Sequence, residues 1–290
     1  MTASRPNGAL FGISHIQGLA TAYQGVADYR SHPVEIPPWS RGEFSTEQGC
    51  KLSFVVGWWD RRHIGDWPTI SGDGIIHFPQ GLVNLSKYIP VNMPVFFQLS
   101  SIDAYAGDEL INFGPYDIGP KWDFSIDGAP AAIGRCPVRK SDVDKLIQQA
   151  IKNVMASCVA CKALLPGARL YYVFPPPPVE PEQYIIDMAK AAAPRHISYL
   201  ERYELLLQYG VRPFAIRQKL ITLANDQLKQ QLRQFSIDYV DPPAECLLAS
   251  GALDTAYAQD MHHGNEHYNK AMVNKIVGVL QSISAESIRS

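Results

Sequence analysis

A three-layer α/β/α fold around a mostly parallel five-stranded sheet is what this sequence predicts, and three observations predict it. Short apolar runs alternate with amphipathic helical stretches from one end of the 290-residue chain to the other. The apolar runs are nearly continuous instead of alternating, as expected of strands buried on both faces. Hydrophobic residues make up 46% of the chain, which is ample for a substantial core. With no internal repeat and no long linker, residues 1–290 read as a single domain with enlarged loops and with extra helices over about 175–235.

The first run, Gly8-Ala-Leu-Phe-Gly-Ile13, stops at Ser14-His15, after which Ile16, Leu19, Ala20 and Tyr23 recur at helical spacing. That is a strand, a tight turn and a helix. Leu52 to Trp58 and Pro94 to Leu99 have the length and composition of two more buried strands, with a short helix between them at 81–88. From Ser141 the pattern turns helical, with Val143, Leu146, Ile147, Ala150, Ile151, Val154, Met155 and Cys158 on one broad face. Ser141 is the expected N-cap and Pro166-Gly167 the expected stop. Arg169 to Phe174 reads as a fourth strand, ended by Pro175 to Pro178, a loop because proline cannot donate to a ladder. Helices follow at about Glu182 to Ala193 and Pro213 to Phe235, then a fifth strand at Ile237 to Val240 and a last helix from about Asn265 to Ile283. This alternation is flavodoxin-like, and it places ligands beyond the carboxyl ends of the strands.

Composition excludes several classes of partner. The 26 basic and 28 acidic residues nearly cancel, giving a net charge of -2 and no reason to expect a nucleic acid or an anionic membrane surface. No stretch reaches the roughly 20 apolar residues of a membrane helix, and the start, Met1-Thr-Ala-Ser-Arg-Pro6, lacks signal-peptide regions, so the expectation is a soluble, cytoplasmic protein. Five cysteines, Cys50, Cys136, Cys158, Cys161 and Cys246, are an odd number and read as free thiols.

Two segments carry candidate chemistry. Ser14 falls at the strand-to-helix turn, where a hydroxyl gains exposure and backbone donors for an oxyanion; the plainer alternative is that it caps the helix. The segment Asp260-Met-His-His263-Gly-Asn265-Glu-His-Tyr268 places a carboxylate three residues before a histidine in the loop entering the last helix. A histidine there can deprotonate Ser14, while the aspartate fixes its tautomer and stabilises the imidazolium.

These residues resemble a known family. Gly12-Ile-Ser14-His15 together with Asp260-Met-His-His263-Gly-Asn265 resembles the SGNH (GDSL-like) hydrolases, and most closely a bacterial SGNH-like branch with a Gly-x-Ser-His start, a Pro-Pro-Pro-Val segment at Pro176 to Val179 and an Asp-x-x-His-x-Asn finish. The resemblance implies an esterase, deacetylase or acyltransferase acting on an ester of a carbohydrate or small molecule without a cofactor. Ser14 is then the nucleophile, His263 the base and Asp260 its partner. It also implies an oxyanion hole made by the serine N–H, a glycine N–H after the second strand and an asparagine after the third. Gly57, Gly72 and Gly74 are the candidate glycines. After Leu99 the chain departs from the pattern, reading Ser100-Ser-Ile-Asp103-Ala-Tyr105 with no Gly-x-Asn, which leaves Ser101 or Asn112 as donors. His15, Tyr105 and Asn265 are further substrate-binding candidates. Trp58, Trp59, Trp67, Tyr105, Tyr116 and Trp122 suit either a rim for sugar faces and acyl chains or the core.

Other readings compete. Asp260, His262, His263 and His267 suit a metal, with His263 and His267 at i and i+4 on one helix face, although Glu266 stands on the wrong side for a zinc-protease motif. Cys158-Val-Ala-Cys161 has redox or zinc spacing but lies inside a long helix, which favours burial. Arg217, Lys219, Lys229 and Arg233 read as a solvated helix face, and that helix or exposed aromatics can support a homodimer. A binding or scaffold protein that keeps the fold but not the catalysis is the remaining functional class.

Overall fold

The computed structural model describes residues 8–12, 14–21, 39–45, 51–58, 69–78, 83, 86, 89, 91–98, 116–117, 136–137, 140–195 and 197–289. Its strands are β1 (Gly8–Gly12), β2 (Trp39–Ser45), β3 (Lys51–Trp58), β4 (Thr69–Ile70), β5 (Ile76–His77), β6 (Pro94–Gln98), β7 (Tyr116–Asp117), β8 (Cys136–Pro137), β9 (Arg169–Val173) and β10 (Asp238–Val240). Its helices are α1 (Ser14–Thr21), α2 (Lys140–Leu164), α3 (Glu182–Ala192), α4 (Ile197–Tyr209), α5 (Phe214–Gln234) and α6 (Glu266–Arg289). Six strands form the main sheet in the order β10-β9-β6-β1-β3-β2, while β4 with β5 and β7 with β8 make two small ribbons.

Five of the six strands run parallel, and they are the five the apolar runs predict. Counting only these, the spatial order is 2-1-3-4-5, the flavodoxin-like order, whose switch point lies between the first and third strands. The sixth, β2, pairs antiparallel with β3 at the edge and was not foreseen. Its sequence, Trp-Ser-Arg-Gly-Glu-Phe-Ser, mixes polar with apolar residues, and an edge strand does not need the continuous apolar run that marks a central one.

Successive residues of β1, β6 and β9 enter opposite layers. Ala9, Val95, Phe97, Leu170 and Tyr172 pack against α2 and α5. Leu10, Phe96, Tyr171 and Val173 pack against α1, α3, α4 and α6, with Phe96 and Tyr171 stacked at 4.8 Å. With both faces covered, the ends of the strands are left as the place for chemistry.

Several local expectations are corrected. The helix α2 begins at Lys140, so Ser141 lies inside it and is not its cap. Of the short helix expected at 81–88, Val83 and Ser86 are described, and both are helical. The helix α4 was missed because its apolar stripe is diffuse: Leu206 is buried, but Leu200 and Leu207 face solvent. The largest correction is Arg217, expected in solvent and found fully buried. Its Nε donates to the Arg212 carbonyl at 2.9 Å, Nη1 to Val179 at 2.7 Å and Nη2 to Glu180 at 2.9 Å. Burial pushes its pKa down to about 10, against the opposing pull of Glu182 and Glu180.

The guanidinium therefore holds the end of the proline segment onto α5. The neighbouring Pro178 carbonyl accepts from the Leu253 N–H at 3.2 Å, and Val179 bridges Leu253 in parallel. In this way the segment leaving β9 anchors the chain that leads into the last loop. Among the described residues, no helix is long and apolar enough to cross a membrane.

Candidate active site

The site grows from two turns at the carboxyl edge of the sheet. At the end of β1, a β-carbon on Gly12 would overlap the carbonyl oxygen of Gln98 on β6 and lie 2.7 Å from Cγ1 of Ile16. Only a residue without a side chain lets the strand pass that close and turn at once into α1. Ser14 is the first residue of α1, and His15, half-buried, is the second.

The other turn spans residues 255–265 and is closed by hydrogen bonds. Asp254 caps a short turn at Thr255–Tyr257 by accepting from the Ala256 N–H at 2.9 Å. Asn265 joins the loop to the last helix: its Nδ2 donates to the Ala256 carbonyl at 2.7 Å, and its Oδ1 accepts from the His267 and Tyr268 N–H groups at 3.0 and 3.2 Å. Ala258 and Gly264 form an antiparallel bridge, and the Gln259 N–H donates to the His263 carbonyl at 2.8 Å. The residues between are thereby presented as a tight hairpin.

Within it, Oδ1 of Asp260 accepts from the His262 and His263 N–H groups at 2.7 and 2.8 Å, which fixes the carboxylate plane. Nδ1 of His263 lies 2.9 Å from Oδ2 and 3.0 Å from Oδ1. Burial pushes the Asp260 pKa up, but the His263 ring and the two backbone N–H groups outweigh it and hold the carboxyl well below the usual range. An ionised carboxylate only accepts, so in the neutral ring Nδ1 carries the hydrogen and Nε2 keeps its lone pair. The pair is thus poised as an oriented base.

The two turns meet. The rings of His263 and His15 are 4.6 Å apart between centroids, tilted by 33°. Behind them α1 packs on α6 at Gly18, where a β-carbon would stand 2.7 Å from Nδ2 of Asn269. That same Nδ2 donates to the Gly264 carbonyl at 3.2 Å, so one buried amide ties the helix seam to the loop. Beside Asp260 opens a pocket of about 360 Å³, with Met188, Ala191, Ala192 and Met261 as its apolar wall and Gln259, Asp260 and His262 as its polar one. Tyr184 is close enough to feel this carboxylate; burial first, then the charge of Asp260, raises its pKa.

The other expected site residues fare differently. Asn265 serves as the helix cap just described. Gly57 lies inside β3, opposite Phe11, and not after the strand. Gly72 and Gly74 sit in an exposed turn between β4 and β5, where the Gly74 N–H already donates to the Ser71 carbonyl and is not available for an oxyanion. Ser101, Tyr105, Asn112, Trp59, Trp67 and Trp122 lie outside the described residues, and Trp58 and Tyr116 are described as backbone of β3 and β7. His263 precedes α6 and so does not share a helix face with His267. Among the described residues no group of three His, Cys, Asp or Glu side chains is placed to hold a metal ion. Cys158 and Cys161 are buried in α2, and burial raises both thiols, as expected of structural residues. Sequence reasoning passed over Gln98, a lone polar residue inside the apolar run Pro94 to Leu99; that interruption was the available signal.

No family model matches the chain, and no curated protein does. Among solved structures, a Streptococcus pneumonia protein provisionally titled as a platelet activating factor is 13% identical, covers 97% of this chain and 86% of its own, and superposes with a TM-score of 0.44. A Bacteroides fragilis protein provisionally titled as an acylhydrolase is 12% identical, with 97% and 92% covered and a TM-score of 0.44. Likeness of this depth says nothing of activity.

Proposed function

We propose that this chain is a serine-dependent ester hydrolase or acyltransferase, with Ser14 as nucleophile, His263 as base and Asp260 as the group that orients it. The observation that supports this reading is the contact between the rings of His263 and His15, which brings an aspartate-oriented imidazole to the residue next to Ser14. The flavodoxin-like order supports it too, because β1 and β6 flank the switch point where ligands bind.

In this reading the Ser14 oxygen attacks the acyl carbon of an ester while its proton passes to Nε2 of His263. The alcohol leaves with that proton as the acyl-serine forms. Water, or the hydroxyl of an acceptor, then attacks the acyl-serine and gives its proton to His263, which returns it to Ser14. Asp260, held ionised, stabilises the imidazolium in both halves. The substrate class that goes with this reading is a small ester, such as an acetyl ester, of a carbohydrate or another small alcohol.

A fluorescent p-nitrophenyl phosphonate tests the reading. The wild type is expected to be labelled at Ser14, with labelling abolished in Ser14→Ala. A wild type that stays unlabelled while remaining folded overturns the hydrolase assignment in favour of a binding protein on the same fold.

A further inference from the structure

Gln98 ends β6 at the same level as Gly12 on β1, and the register of Phe97 with Tyr172 puts Val173 beside it on β9. Side chains two apart on a strand share a face, so Gln98 points the way Phe96 does, into the layer that holds Leu10, Ile16 and Val173 beneath α1 and α6. On β1 the position that shares this face and level is Gly12, which contributes no side chain. The Gln98 residue is fully buried, yet neither its Nε2 nor its Oε1 has a hydrogen-bond partner. Buried polar groups are nearly always paired, and an orphan amide among apolar neighbours weakens the fold. Leucine or methionine would fill the same volume without that penalty.

Gln98 is level with Gly12, two residues before the opening of α1, an eight-residue helix with no acidic residue in its first turn. The first N–H groups of a helix lack intrahelical partners and carry partial positive charge. A buried amide with unused hydrogen-bonding capacity and a helix start therefore converge at the turn that carries Ser14.

We propose that Gln98 contacts substrate, its Nε2 donating to the acyl carbonyl oxygen while the N–H groups opening α1 supply the other donors. This rests on the serine-hydrolase reading and adds to it a residue that donates to the oxyanion of the tetrahedral intermediate and stabilises its charge. Donors aimed at that oxygen strengthen as charge develops, so the interaction belongs to the transition state more than to the bound ester.

The experiment compares the full-length wild type with Gln98→Met, using p-nitrophenyl acetate turnover, phosphonate labelling rate and thermal melting. The expected result is a melting temperature raised by roughly 2–8 °C, with kcat and labelling rate lowered about 100- to 1000-fold and KM nearly unchanged. Gln98→Asn, which keeps the amide but withdraws it by one methylene, gives an intermediate loss and serves as the test if the methionine variant does not fold. A packing role for Gln98 predicts the same rise in melting temperature with turnover and labelling untouched, and that result overturns the proposal while leaving the hydrolase reading intact. A wild type that neither turns over the ester nor reacts with the phosphonate overturns both.

Discussion

At the β1–α1 turn the chain is positioned by what Gly12 lacks, since the strand passes Gln98 too closely for any side chain. At the 255–265 loop it is positioned by what Asp254, Asp260 and Asn265 supply, a set of side-chain acceptors and donors that closes the hairpin from inside. The difference follows from the chemical task proposed for each. A nucleophile needs only a fixed backbone and open space, which sterics provide. A base needs one tautomer and one ring orientation, which only directed hydrogen bonds can impose.

Removing the reacting groups should have the largest effect. Ser14→Ala and His263→Ala should each lower ester turnover by about 10⁵- to 10⁶-fold, with the double variant hardly worse than either, because the two act as a unit. Fully additive losses in a single-turnover assay would show that they belong to different sites. Asp260→Asn should come next, at about 10⁴-fold in kcat, since an amide facing Nδ1 favours the wrong tautomer. Activity within tenfold of wild type would separate the carboxylate from the chemistry.

Gly12→Ala attacks the steric turn alone. It should destabilise the protein by about 1–3 kcal/mol or more in urea unfolding, because backbone and not a flexible side chain stands in the way. Asn265→Ala attacks the hydrogen-bonded turn and should cost about 1 kcal/mol for the lost helix cap, with a smaller fall in turnover than Asp260→Asn. If the glycine variant proves the milder of the two, the contrast between the turns is wrong.

The smallest effect is a pH dependence. The Asp260 carboxyl is held below its ordinary value, so it stabilises the folded state at every pH above the unfolded carboxyl value near 3.9, and the contribution fades as pH falls through the lowered folded value. The melting-temperature gap between wild type and Asp260→Asn should therefore narrow as pH falls below about 4. A gap that widens below about pH 4 would contradict the sign of that linkage.

What was legible in the sequence tracks how local its cause is. The five parallel strands announced themselves because burial on both faces demands unbroken apolar runs, as in Leu170 to Phe174. The pairing of Asp260 with His263 was legible because three residues of loop can hold it. Arg217 was misread because two of its three acceptors are carbonyls 37 and 38 residues away in the chain, which no helical periodicity reveals. The edge strand β2 escaped for a related reason, since its place depends on a partner and not on its own pattern. The contact of His15 with His263 joins the two ends of the chain, and only the sheet order brings it about.

The notch at Gly18 has a mechanical side. With Asn269 seated in it, the opening helix and the closing one interlock like a key in its ward, and the same amide reaches on to Gly264. Thermal swaying of either helix then carries its mate along. The helix that opens at Ser14 and the loop that carries His263 thus ride on one carriage, which guards the proposed pair against excursions that would scramble groups mounted on independent supports.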